Sequence, residues 1–313
     1  MRENLESFHL DLSDGQSWKF SAVEEAQEWI SKFAGILGLK KSESSDGKRI
    51  IFVRNWESMN DYSKIGASKE ALKIQYFPLA SWFFSDEFGP KFIYIRDRED
   101  ILCDIGYQEI EPIEYLRMQH SLIPVYNEVQ KKGGFPIHGA LMVMNEMGAV
   151  LAGPGGSGKT TCCSRLPPPW QSLCDDETLI VRTKYGAYHA HPFPTWKNCF
   201  LDDDRQVWDV QHYVPLNAIF YLEQSGVDEL VPLGKGMSVF LIFRLACQAC
   251  RRFWLTAEPA EARLIHTRLF QNAHDLAATV PVFRLRVSLK GRFWEKMEEV
   301  LHRKEQIGIR KTG

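Results

Sequence analysis

Residues 150–161 read VLAGPGGSGKTT, and this stretch decides the fold of the part of the chain in which it lies. It contains the pattern G-x-x-x-x-G-K-[ST], follows an apolar strand and precedes the start of a predicted helix. Its glycines allow successive backbone N–H groups to point at phosphate oxygens. We therefore predict a phosphate-binding loop whose nucleotide-binding residues are Gly153, Pro154, Gly155, Gly156, Ser157, Gly158, Lys159, Thr160 and Thr161.

The nucleotide predicted for this loop is ATP with Mg²⁺. Lys159 would neutralise the β- and γ-phosphates, and the hydroxyl of Thr160 would bind the magnesium ion. Two adjacent aspartates, Asp175 and Asp176, follow after only a short helix and the Pro-rich return LPPPW. In motors and switch GTPases the carboxylate that orders magnesium usually lies much further downstream. We expect the aspartates at the end of a short strand next to the loop strand.

Adjacent residues on a strand point to opposite sides, so the two carboxylates need not share one task. One could help to order the metal while the other accepts the proton of an incoming hydroxyl. The alternative is a solvated acidic turn. His138 lies on the strand predicted to pair with the loop strand, where its imidazole could hold one carboxylate in place. A purely structural role for His138 remains the alternative.

The segment HAHPFPTW, residues 189–196, is predicted to be extended, which places His189 and His191 on one face. Together with Trp196 they could line the nucleotide or acceptor cleft. Two structural histidines are the alternative, and a metal site lacks an evident third ligand. Cys247 and Cys250 have metal-like spacing but lie in a helical apolar pattern without a second pair, so we predict buried, reduced thiols.

The composition is that of a water-soluble globular protein. Of 313 residues, 44% are hydrophobic and 25% charged, and the formal net charge is −2. This charge gives no reason to expect nucleic acid or an anionic membrane as a partner. No apolar run approaches the roughly 20 residues that span a bilayer, and the N-terminus has no signal-peptide core. We expect a cytoplasmic protein, and a homo-oligomer is among the possibilities.

The pattern of strands and helices predicts an α/β protein with a mixed sheet of the α+β kind. We divide it into an N-terminal α/β domain, residues 1–110, and a nucleotide domain, residues 111–313. The first domain should contain a hairpin in residues 8–20, followed by a helix that Ser21 and Glu24 cap. A helix kinked at Pro124 should open the second domain and end at Gly133.

An ordered set of features resembles the HPr kinase/phosphorylase superfamily, whose nucleotide domain is shared in outline with phosphoenolpyruvate carboxykinase. The set is His138-Gly139, the strand-turn-strand GALMVMNEMGAVLAG, the loop GPGGSGKTT and Asp175-Asp176. Within it, CCSRLPPPW, LCDDE and HPFPTW are similar to the kinase-like, ScmC-type proteins of SynChlorMet cassettes, which tailor peptides. The resemblance covers roughly residues 130–290 and implies a P-loop domain of the HPr-kinase type.

The resemblance implies an ATP-dependent kinase that phosphorylates a Ser, Thr or Tyr hydroxyl of a peptide or protein, such as a ribosomally made precursor peptide. It makes Asp175 the base and Asp176 its partner, held by His138 and contributing with Thr160 to the magnesium site. The Arg-Gly-rich segment of the phosphocarrier kinases, with its second metal-binding glutamate, is missing here. Asp202–Asp204 could replace that glutamate, and reverse phosphorolysis is not implied.

Other functions remain open at this point. A kinase for free serine or a polyol would use the same residues, and a nucleotide-binding regulatory or scaffold protein would need no base. A switch NTPase would be expected to carry a downstream NKxD motif, which the chain lacks. The N-terminal domain could capture a peptide as an added strand, or could be structural or mediate dimerisation.

Overall fold

Two mixed β-sheets organise the described part of the protein. The structure, a computed structural model, describes residues 6–42, 46–56, 72–76, 90–95, 100–107, 111–196, 199, 207–254 and 259–309. Contacts divide the chain into a first unit, Met1–Asn127, Trp196–Gln211 and Arg252–Ala262, and a second unit, Glu128–Thr195, His212–Arg251 and Arg263–Gly313. The predicted mixed α/β class is confirmed. The first unit extends past residue 110 and takes in two later segments.

The first unit holds a seven-stranded sheet. In chain order its strands are β1 (Ser7–Asp11), β2 (Ser17–Ala22), β3 (Lys40–Lys41), β4 (Lys48–Val53), β5 (Leu72–Tyr76), β6 (Lys91–Ile95) and β7 (Ile101–Asp104). Their spatial order is β3-β1-β2-β4-β7-β6-β5. Strand β4 runs parallel to both β2 and β7, and the other neighbours are antiparallel.

Helix α1 (Gln27–Ile36) packs an aromatic face on this sheet, with Trp29 4.5 Å and Phe33 5.5 Å from the ring of Phe52. The predicted hairpin before it is confirmed, but the capping box is wrong. Ser21 continues β2, where it pairs with Ser7 and Ile51. A 3₁₀ turn, Glu24–Ala26, follows β2 and has Val23 as its N-cap residue. Ala26 is the N-cap residue of α1, and neither N-cap makes a side-chain hydrogen bond.

Two helices replace the single kinked helix predicted around Pro124. They are α2 (Glu111–Ser121) and α3 (Ile123–Lys131), with a break at Leu122. Pro124 lies in the first turn of α3, where the helix needs no N–H donor, so it is tolerated there. The chain leaves α3 through Gly133, whose φ is +95°. This predicted helix end is confirmed.

The second unit holds eight strands. They are β8 (Phe135–Met144), β9 (Met147–Ala152), β10 (Gln171–Cys174), β11 (Glu177–Arg182), β12 (Tyr188–Phe193), β13 (Val214–Gln224), β14 (Glu229–Pro232) and β15 (Val282–Val287). Seven follow the order β10-β8-β11-β12-β13-β15-β14, and β9 lies between β8 and β13. Asn145 and Glu146 form the predicted turn between β8 and β9 with φ of 48° and 62°, values that suit a tight hairpin.

The strand that precedes the aspartates is short, as predicted, but its predicted neighbour is wrong. β10 pairs with β8 rather than with the loop strand β9. Both edges of β9 are already taken by β8 and β13, so the returning chain pairs along the other edge of β8. The aspartates follow the end of this short strand, as predicted, and they join β10 to β11.

Helices α4 (Lys159–Arg165), α5 (Lys235–Trp254), α6 (Pro259–Thr279) and α7 (Phe293–Ile309) complete the second unit, although the ends of α5 and α6 belong to the first. Phe293, Met297 and Leu301 of α7 pack with Cys162 of α4 on side chains of β8, β9, β13 and β15. This core fixes the sheet beneath the phosphate loop. Among the described residues no helix is both long and apolar enough to cross a membrane.

Candidate functional site

The predicted phosphate loop, residues 153–160, connects the end of β9 to α4. Gly156 and Gly158 have φ of +76° and +97°, which L-residues with a side chain rarely adopt. Gly158 is also the N-cap residue of α4, directly before its first residue. The amide group of Gln224, at the end of β13, donates to the carbonyl of Gly156 at 3.0 Å. Because β13 runs parallel to β9, its end lies beside the loop and supports it.

Lys159 is folded back over its own loop and is only 7% exposed. Its Nζ donates to the carbonyls of Gly153 at 2.8 Å and Pro154 at 3.2 Å. The same Nζ lies 3.0 Å from Nε2 of His138. Because an ammonium group can only donate, Nε2 accepts in this contact, and the ring proton is assigned to Nδ1.

His138 joins Lys159 to the acidic pair. Its Nδ1 lies 3.3 Å from Oδ1 of Asp176, so the imidazole contacts the ammonium on one side and a carboxylate on the other. Asp176 is also fixed through its backbone, because its carbonyl accepts the N–H of Gly139 at 2.9 Å. The carbonyl of Gly139 in turn accepts the hydroxyl of Thr178 at 2.9 Å. Both backbone groups of Gly139 therefore hold the chain around the aspartates.

Gly139 fits here because a side chain would not. A Cβ at this position would lie 2.8 Å from Cγ1 of Val150 and 3.3 Å from the carbonyl oxygen of Leu151, both on the loop strand. The His-Gly dipeptide thus combines two local requirements. His138 presents an imidazole to Asp176, and Gly139 allows β8 and β9 to approach closely.

Asp175 has different partners from Asp176. Its Oδ1 accepts a hydrogen bond from the hydroxyl of Thr195, and its Oδ2 lies 3.5 Å from the hydroxyl of Thr160. Thr195 was not expected at the site, because HPFPTW drew attention only through its histidine and tryptophan. Gln224 was also missed. Nothing in the local sequence around either residue indicates a role.

The neighbouring thiols are not activated nucleophiles. Burial raises the pKa of Cys162 to about 11, of Cys163 to about 12 and of Cys174 to about 11. At neutral pH these groups are therefore protonated and poorly nucleophilic. On α5, Cys250 is buried and Cys247 half-buried, and Sγ of Cys250 lies 3.6 Å from the amide nitrogen of Gln130.

His189 and His191 share one face of β12, where both rings lie against Tyr213. The ring centroids are 4.8 Å and 5.2 Å from that of Tyr213. His191 is fully buried, and burial lowers the pKa of half-buried His189, which favours its neutral form. Trp196 is 3% exposed and belongs to the first unit. Asp202–Asp204 lie outside the described residues.

The oxygen atoms of Thr160 and Asp175 suit a magnesium ion bound together with a nucleotide. Mg²⁺ prefers oxygen ligands and is usually held by one or two carboxylates together with substrate phosphates. In the described part of the chain, no group of three or more His, Cys, Asp or Glu residues could hold a metal ion. The donor set therefore fits a metal that arrives with phosphates rather than a metal cage built by the protein.

The chain also matches the model of a known protein family. The model of the family described as SynChlorMet cassette protein ScmC matches residues 101–302, which is well over half of the chain and includes the phosphate loop, His138 and the acidic pair. No curated protein matches the chain. By its sequence, the chain therefore belongs to the family of SynChlorMet cassette protein ScmC.

Proposed function

We propose that the protein is an ATP-dependent kinase that transfers the γ-phosphate to a hydroxyl side chain of a peptide or small protein, such as a ribosomally made precursor peptide. One observation carries the proposal. Lys159 of the phosphate loop and Asp176 contact opposite nitrogens of the same imidazole, that of His138. A protein that only binds nucleotide has no need of a carboxylate held beside its phosphate-binding lysine.

The contacts also support different roles for Asp175 and Asp176. Asp175 lies next to Thr160, so these two residues would hold the magnesium ion, which would neutralise charge on the β- and γ-phosphates. Asp176, held by His138, would then be the base. This reverses the roles that the family resemblance implied for the two aspartates.

The transfer would proceed as follows. Lys159 would turn from His138 to the β- and γ-phosphates, which offer it stronger, charge-assisted hydrogen bonds. The acceptor oxygen would attack the γ-phosphorus while the bond from that phosphorus to the β,γ-bridging oxygen breaks. Asp176 would take the hydroxyl proton, leaving ADP and a phosphate ester. Such proton transfer contributes about 10²–10⁴-fold to a rate.

Membership in the wider HPr kinase/phosphorylase superfamily is part of this proposal. It is supported by the order of His138-Gly139, the β8–β9 hairpin, the phosphate loop and the acidic pair.

The N-terminal region would then serve to capture the substrate. The backbone N–H of Trp208 donates to the carbonyl of Ile36 at 2.9 Å, and the first unit includes this later segment of the chain. Peptide capture should accordingly be tested with the full chain rather than with residues 1–110.

The deciding experiment incubates the full chain with γ-labelled ATP, Mg²⁺ and a candidate precursor peptide, followed by mass spectrometry. We expect a gain of one phosphoryl group on a peptide hydroxyl and no gain with Asp176→Asn. Label on free serine or a polyol, but not on the peptide, would favour a small-molecule kinase. Nucleotide binding without any transfer would favour a regulatory protein and contradict the proposal.

A further inference from the structure

Thr195 contacts Asp175 from the segment that follows β12. It lies two residues beyond the end of β12, is fully buried, and donates its hydroxyl to Oδ1 of Asp175. A buried hydroxyl needs a hydrogen-bond partner, and a charged acceptor gives the stronger bond. Nothing in the sequence pattern gave this residue a role.

Sheet pairing explains why these two residues meet. Strands β11 and β12 are antiparallel, and Glu177, the first residue of β11, lies opposite Phe193, the last of β12. Counted two residues back from Glu177 and two residues on from Phe193, just beyond the paired residues, this register sets Asp175 opposite Thr195. Directly opposed residues of an antiparallel pair have their side chains on the same side. The pairing of β11 with β12 therefore brings both residues to the same end of the strand pair, where the hydroxyl contacts the carboxylate.

The two oxygens of Asp175 have separate partners. With Oδ1 bound by Thr195, the carboxylate is restrained so that Oδ2 faces the hydroxyl of Thr160, 3.5 Å away. Without the Thr195 hydroxyl, the carboxylate could rotate and turn either oxygen elsewhere. Metal ligands are commonly oriented in this way by a second hydrogen-bonding group, and loss of that group weakens metal affinity.

We infer that Thr195 is a positioning residue that orients Asp175 for the magnesium ion of a bound Mg²⁺–nucleotide. The inference rests on the proposed nucleotide site, and it adds to that site a residue from the segment that follows β12. Thr195 would touch neither the nucleotide nor the metal. Its effect should therefore appear only in the part of nucleotide binding that depends on Mg²⁺.

The test measures binding of a non-hydrolysable ATP analogue by calorimetry, with Mg²⁺ and with EDTA. In the wild type, Mg²⁺ should tighten binding. Thr195→Val keeps the shape of the side chain but removes the hydroxyl, and it should reduce this gain about tenfold. Binding in EDTA should be unchanged. Thr195→Ser, which keeps the hydroxyl, should restore the gain.

A double-variant comparison isolates the contact. In an Asp175→Asn background, Thr195→Val should have no further effect on the Mg²⁺-dependent gain, because the carboxylate it orients is gone. If Thr195→Val does not fold, as judged by circular dichroism, the Thr195→Ser and Thr195→Ala pair makes the same comparison.

Three outcomes would overturn the inference. An unchanged gain in folded Thr195→Val shows that the hydroxyl does not orient Asp175. An equal loss of binding with and without Mg²⁺ shows general structural support instead. The third outcome is different, because a wild type without any Mg²⁺-dependent binding would refute the proposed kinase site itself together with the role of Thr195.

Discussion

The Nζ atom of Lys159 lies 3.0 Å from Nε2 of His138, and Nδ1 of the same ring lies 3.3 Å from Asp176. The residue expected to bind phosphate is thus connected to the residue expected to accept a proton. When a nucleotide binds, the ammonium group has two competing sets of partners. The first two predictions separate the role of the lysine from that of the histidine.

Lys159→Met should weaken nucleotide binding by about ten- to hundredfold, because hydrogen bonds to charged groups contribute about 1.5–3 kcal/mol each. Titration of a fluorescent ATP analogue measures the dissociation constant. Gln224→Ala, which removes only a contact to the loop carbonyl of Gly156, is the matched control and should have a smaller effect. Equal affinity of Lys159→Met and wild type would exclude this loop as the phosphate site.

His138→Phe should lower kcat about tenfold or more while leaving nucleotide affinity unchanged or slightly tighter. A planar aromatic ring is kept, but Asp176 loses the group that holds it, and Lys159 loses a partner that competes with phosphate. Steady-state kinetics and direct binding measure the two effects separately. A parallel loss of affinity and turnover would instead point to a structural role for His138.

Asp176→Asn should retain Mg²⁺-dependent nucleotide binding but lose about 10²–10⁴-fold in transfer, because an amide cannot accept the proton. Asp175→Asn should lose the Mg²⁺-dependent part of binding, because it removes the carboxylate beside Thr160. Calorimetry and single-turnover assays on both variants give the comparison. If the two phenotypes were exchanged, Asp175 would be the base, as the family resemblance implies.

Gly139→Ala should destabilise the protein by about 1–3 kcal/mol, since overpacking forces its neighbours to move. The new Cβ would lie 2.8 Å from Cγ1 of Val150 and 3.3 Å from a backbone oxygen. Gly236→Ala, on α5 of the same unit, meets nothing within 4 Å and should leave the free energy of unfolding unchanged or slightly higher. Urea denaturation measures both, and equal stability of the two variants would contradict the close contact of β8 and β9.

His189→Phe should make stability less sensitive to acid. Burial lowers the pKa of His189 below its ordinary value of 6.5, so the unfolded chain binds a proton before the folded protein does. The neutral imidazole therefore contributes to the free energy of unfolding above the pKa that His189 has in the unfolded chain. This contribution is lost as the pH falls through the lower pKa of the folded protein. Urea denaturation from about pH 7.5 to about pH 5 should show a smaller decline for the variant, whose ring can still stack on Tyr213. An equal or steeper decline would be inconsistent with the burial of this imidazole.

Local sequence predicted much of the second unit. Residues 135–152 contain two apolar runs joined by the turn NEMG, which indicates a hairpin, and the glycines and Lys159 after them predict the phosphate loop. These signals depend on neighbours along the chain, so they can be recognised without knowledge of the sheet. The mixed α/β class and the helix around Cys247 and Cys250 followed from the same kind of pattern.

The pairing of strands that are distant in sequence could not be predicted from such local patterns. The partner of β10 depends on which edges of β8 and β9 are already occupied, and the role of Thr195 depends on the register of β11 against β12. Ser21 could not be placed from local sequence for the same reason. Its pattern is typical of a helix cap, but the residue pairs with β1 and β4 as part of β2. In each case the pairing of strands that are distant in sequence determined the structure, although the local motif suggested a different one.

Asp175 and Asp176 form the whole link between β10 and β11, and both of these strands pair with one edge of β8. The number of residues in this link is therefore constrained as strictly as their identity. One extra residue would break the alignment with Gly139 on one side or with Thr195 on the other. Homologous chains should accordingly tolerate substitutions around the aspartates far more readily than insertions or deletions between Cys174 and Glu177.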